Sequence, residues 1–164
     1  MRTPRLLVVL FLAAALGLVA TSAAGAARGS LTPAEYRAQA GALCVKAKQR
    51  IAGLPKSKSA TPKAAGKALS SALDAVDPLL PQFQKLSPPT ALKATHDKMV
   101  KALGDGLALG HGIADVVSKG TNLQKALAKV QLPFLTAMSG IQTGFKELGL
   151  TTCQSVLGAA LGGA

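Results

Sequence analysis

Two histidines, two cysteines and seven carboxylates are nearly all this chain offers for site chemistry. His96 and His111 stand fifteen residues apart. On one continuous helix that is about 22 Å, too far for a single metal ion. His111 and Asp115, four apart, share a helical face and make half a metal site, but no further ligand completes it. Glu35, Asp74, Asp77, Asp97, Asp105, Asp115 and Glu147 are the carboxylates. Three of them stand four residues from a lysine (Lys93–Asp97, Lys101–Asp105, Asp115–Lys119), the spacing of ordinary surface pairs on a helix. Paired carboxylates, GxSxG and HExxH are missing. The reading is therefore not an enzyme, with no catalytic residue, metal or cofactor assigned.

Basic residues are plentiful. The chain carries 19 Lys and Arg against 7 Asp and Glu. Between Arg37 and Lys67 stand Lys46, Lys48, Arg50, Lys56, Lys58 and Lys63 as well, with no acid among them. Such a surface attracts anionic envelope polymers or lipid headgroups in a salt-dependent way. With Tyr36 and four phenylalanines as the only aromatics, base stacking is poorly served, so sequence-specific nucleic-acid binding is not expected. A solvated face with a flexible basic linker is the plainer reading.

These groups sit on a chain that begins like an exported protein. Arg2 and Arg5 precede an apolar run from Leu6 to Val19, and Ala24-Gly25-Ala26 is a cleavage candidate. Residues 1–26 read as a signal peptide. The run is short for a membrane span, which needs about twenty residues; retention by an uncleaved N-terminal segment is the alternative. Cutting after Ala26 leaves 164 − 26 = 138 residues, with 17 basic and 7 acidic side chains and a net charge of about +10. That length suits one domain.

The rest predicts helices. Tryptophan is absent and strand-forming runs of Val, Ile, Thr and Tyr are not found. "TPAE" at Thr32–Glu35 is a capping box with Pro33 in the first turn, followed by a stripe at Tyr36, Ala40, Leu43, Ala47 and Ile51. Thr61-Pro62 opens a second helix striped by Leu69, Leu73, Val76, Leu80 and Phe83; Pro78 and Pro81 should kink it, or Asp77 should cap a fresh start. A third helix spans roughly 89–119, and Thr121 or Asn122 caps a fourth that runs to Leu148, with Pro133 bending it. Gly149 reads as a left-handed terminator that lets Leu150 pack back on Phe145. In the third helix, Gly104, Gly106, Gly110 and Gly112 read as tight packing through small residues, or as a groove for a ligand.

Short connections and near-heptad stripes predict an all-α four-helix up-down-up-down bundle over residues 27–154, with a small-residue tail over 155–164. In that topology the fourth helix ends beside the start of the first. Cys44 lies roughly 16 Å along the first helix, and the stretch from Gly149 to Cys153 reaches about 13 Å when extended. An even cysteine count in an exported chain favours a Cys44–Cys153 disulfide, two free buried thiols being the alternative.

The segments "LTPAEYRAQAGALC", "LSPPTALKA" and "FKELGLTTC" resemble a group of small exported bacterial proteins of unknown function with two cysteines. The resemblance spans nearly the whole exported part. It implies a helical bundle with a disulfide and brings no activity. The glycines of the third segment and the tail "QSVLGAALGGA" depart from that pattern. The expectation is thus an exported, monomeric, disulfide-clamped bundle, a binding or structural module of the cell envelope. Its alternative is a carrier of a small apolar ligand held between the helices near the glycine-rich stretch.

Overall fold

The computed structural model describes residues 30–55 and 61–162. The expected signal peptide over residues 1–26, and Lys56 and Lys58 of the basic linker, lie outside them. The described chain is all-helical: α1 (Pro33–Ala52), α2 (Pro62–Val76), a 3-10 turn (Asp77–Leu79), α3 (Leu80–Gln84), α4 (Thr90–Ser118), α5 (Leu123–Glu147) and α6 (Thr151–Gly162). None of these helices is long and apolar enough to cross a membrane.

The helix ends follow from local chemistry. Thr32 Oγ1 accepts from Glu35 N–H at 3.3 Å, and Glu35 Oε2 accepts from Thr32 N–H at 2.9 Å, so the capping box forms in both directions. The Thr32 hydroxyl, which donates to Glu35 Oε2 at 2.7 Å, and then the Thr32 N–H stabilise the carboxylate and hold the Glu35 pKa below its ordinary value. Thr61 Oγ1 and Asn122 Oδ1 cap α2 and α5 in the same manner. At the end of α5, Gly149 adopts φ +70°, Gly149 N–H donates to Lys146 O (3.1 Å) and Leu150 N–H to Phe145 O (2.8 Å). This is the Schellman ending expected of "ELGL", and Phe145 and Leu150 share the core it creates.

The two prolines of the second helix break it. Instead of a kinked helix, residues 77–84 form the 3-10 turn and the short α3, which bury Leu79 and Phe83. Asp77 closes α2 as its C-cap, its N–H donating to Leu73 O; its carboxylate is engaged elsewhere, as described below.

Two corrections concern architecture. Residues 155–162, expected as a tail, belong to α6. Val156 and Leu157 pack against the main core cluster, so the segment is part of the domain. Second, α1 packs chiefly on α6 and α2, while α5 packs on α4 and α4 on α2. The place beside α1 expected for the fourth long helix is thus held mainly by α6. The end of α5 still meets the start of α1, where Arg37 Nε donates to Leu148 O at 3.0 Å. A cation at a helix C-terminus is favourably placed for the helix dipole.

Tyr36, Leu43, Phe83, Met99, Ile141, Phe145, Leu148 and Leu150 form the main core, together with Ala40 and both cysteines. A smaller cluster around Ile113 and Val117 fixes the far end of α4. There α2 and α4 approach so closely at Gly66 that a Cβ would stand 2.7 Å from Ser118 Cα and 2.9 Å from Ala114 O. Only glycine fits. Within the glycine run of α4, Gly110 is similarly tight against Leu73, whereas Gly112 faces open space. The helix runs unbroken through all four.

Candidate functional site

Cys44 and Cys153 are joined by a disulfide across 109 positions of sequence, tying α1 to α6. Both sulfurs are buried. The bond lies at the wall of a cavity of about 190 Å³. Every residue lining that cavity is apolar, and every helix contributes: Ala47 and Ile51 from α1, Val76 from α2, Phe83 from α3, Leu103 and Leu107 from α4, Ile141 and Phe145 from α5, Val156 and Leu157 from α6. An apolar cavity of ~150 Å³ stays dry and takes up benzene or xenon. This one offers no group to hydrogen-bond water and has room for a slightly larger guest. Ile51, expected on the buried stripe, is 38% exposed; being also a lining residue, it stands at the mouth.

The interior also holds a buried polar pair that spacing did not reveal. Tyr36 is fully buried, and its hydroxyl lies 2.9 Å from Nδ1 of the equally buried His96, the rings meeting edge to face. Burial pushes the Tyr36 phenol up to about 12 and holds the His96 imidazole below its usual value. Both groups are therefore neutral near pH 7 and share one hydrogen bond, whose direction is set by the imidazole tautomer. Sequence reading placed Tyr36 on the apolar stripe of the first helix, and its sixty-residue separation from His96 gave no sign of a bond.

His111 and Asp115, which their spacing puts on one helical face, do not come together. Asp115 turns to Lys119 at 2.7 Å, and His111 Nε2 instead meets Asp77 Oδ2 at 2.8 Å. Asp74 joins them, with one ligand atom from each of the three residues within 4.8 Å of the others. The carboxylates come from one turn at the end of α2 and the imidazole from α4, so the contact fastens the 3-10 turn to α4. Only the three-dimensional crossing of these helices brings them together. The expected pairs Lys93–Asp97 and Lys101–Asp105 form at 2.7 and 2.6 Å on exposed surface. Such pairs contribute a few tenths of a kcal/mol.

Of the basic residues assigned to anionic surfaces, Lys46 and Lys48 project from α1 and Lys63 and Lys67 from α2, all exposed. None makes an ion pair among the described residues. Arg50 is drawn to the end of α2, donating to Ala75 O at 3.2 Å. The chain matches no family model, and no curated protein or solved structure is significantly similar to it.

Proposed function

We propose that this protein is an exported carrier of a small apolar molecule, held in the cavity between its helices beside the Cys44–Cys153 disulfide. The cavity carries the reading: about 190 Å³ with no polar lining residue suits a hydrocarbon or aromatic guest and nothing charged. Leu103 and Leu107 bring the glycine-rich stretch of α4 into its wall, the place that the alternative sequence reading gave to an apolar ligand. Export fits a disulfide, which persists in oxidising compartments, and the resemblance to exported two-cysteine helical proteins. In this reading the four long helices form an up-down-up-down frame, α6 closes it, the protein is a monomer, and it performs no turnover. Native mass spectrometry of the protein isolated from its own host tests it directly. A non-covalent adduct that is lost on denaturation supports the carrier, and bare polypeptide from every preparation contradicts it.

A second reading is weak association with anionic envelope polymers or lipid headgroups through Lys46, Lys48, Arg50, Lys56, Lys58, Lys63 and Lys67. The exposed, carboxylate-free positions of Lys46, Lys48, Lys63 and Lys67 favour it. Retention on an anionic matrix that is unchanged by high salt would remove it.

A further inference from the structure

Among the described residues, the most exposed large apolar side chains lie on neither the cavity nor the basic first third. Leu132 is 76% and Leu135 55% exposed, three residues apart on α5 with Pro133 between them. A burial-driven fold leaves such a pair in water only at a cost, and lone exposed leucines are common while adjacent protruding ones are less so. Their surroundings are cationic. On one side Leu132 shares a depression between α4 and α5 with Lys98 and Lys101. On the other it shares a smaller one with Lys129 and Leu135. The one carboxylate lining either depression, Asp105, is held by Lys101 at 2.6 Å. Lys98 and Lys129 form no ion pair among the described residues.

We infer that the α4–α5 face carrying Leu132 and Leu135 docks on an anionic lipid bilayer. The two leucines enter the boundary between headgroups and acyl chains, and Lys98 and Lys129 meet the anionic headgroups around them. A bilayer offers these two chemistries in that order, apolar beneath anionic. An anionic polymer matches the lysines but leaves both leucines in water. A second copy of the chain covers the leucines but brings like charges face to face, on a molecule that already carries a large positive charge. The face is independent of the cavity and of the lysines on α1 and α2, so it stands whether or not the carrier reading does.

The test is co-sedimentation of the mature, disulfide-intact protein with vesicles of phosphatidylglycerol and phosphatidylcholine, and with phosphatidylcholine alone. Wild type should partition onto the mixed vesicles, only weakly onto the neutral ones, and less in high salt. The double variant Leu132→Gln with Leu135→Gln changes exposed positions alone, so its thermal transition should match wild type. Its partition should fall about tenfold or more. The pair Lys98→Glu with Lys129→Glu should fall by a similar factor. Lys46→Glu with Lys63→Glu should stay within about threefold, because those residues lie off the face. Absence of binding to the mixed vesicles overturns the inference. So does undiminished binding of the leucine variant, or a loss as large from the α1 and α2 lysines as from Lys98 and Lys129.

Discussion

Breaking the Cys44–Cys153 bond should cost a third or more of the margin by which a domain of this size is stable. The bond closes a loop of 109 positions. In the chain-entropy description that constraint destabilises the unfolded state by about 4.7 kcal/mol, set against a total stability of roughly 5–15 kcal/mol. The loss has a local part as well. Cys153 anchors α6, whose Val156 and Leu157 cover the core, so freeing the thiols lets that helix leave first. The perturbation is the double variant Cys44→Ala with Cys153→Ala, which leaves no thiol to re-pair. The assay is guanidinium unfolding followed by far-ultraviolet circular dichroism. The midpoint should fall by an amount equivalent to about 4–5 kcal/mol, and the slope should steepen because the unfolded chain is no longer held compact. Hydrogen exchange should show residues 151–162 opening before α4 and α5 do. An unchanged midpoint and slope would refute the reasoning, since the clamp would then constrain nothing.

Three further outcomes follow from particular contacts. Gly66→Ala should destabilise by about 2 kcal/mol or more despite alanine's better helix propensity, because the Cβ meets backbone of α4 that cannot step aside; thermal unfolding reads this. The buried Tyr36–His96 pair should bound stability on both sides of neutrality. Below about 6.5 the unfolded chain binds a proton that buried His96 resists, so stability is intact above that pH and falls as pH drops through it. Between 10 and about 12 the unfolded chain releases a phenol proton that buried Tyr36 keeps, so stability falls again as pH rises, by up to ~3 kcal/mol; Tyr36→Phe should remove that alkaline limb. Thr32→Ala should cost about 1 kcal/mol by leaving the first turn of α1 without its side-chain acceptor, seen as a lower melting temperature.

What could be read from sequence was whatever a few neighbouring residues decide. Thr32 and Glu35 make their box, Gly149 ends α5, Lys93 and Lys101 find their aspartates, and the buried half of α5 follows its stripe at Ala137, Ile141, Phe145 and Leu148. The disulfide was legible too, because two cysteines admit one intramolecular pairing. What depends on how helices cross was not. The Asp77 side chain, one candidate for the cap of a fresh helix, instead meets His111, and Arg37, read among the basic surface residues, donates to the end of α5. Gly66 drew no notice beside the glycine run, yet it marks the closest approach of α2 and α4. The helix α6 was hidden by its composition: Ala, Gly and Leu carry little periodic contrast, so no stripe announced the side that packs on α1. The cavity is legible only once six helices contribute to one wall.

The most direct measurement is a titration of the isotopically labelled, disulfide-intact protein with toluene, followed by amide and methyl chemical shifts. Toluene is close in size to the guests that cavities of this volume accept. Saturable shifts confined to Leu79, Leu103, Leu107, Ile141 and Val156, and abolished when Leu107→Trp fills the space, are the expected result. Shifts that never saturate, that spread over exposed residues such as Leu132 and Leu135, or that survive Leu107→Trp would contradict an internal apolar site.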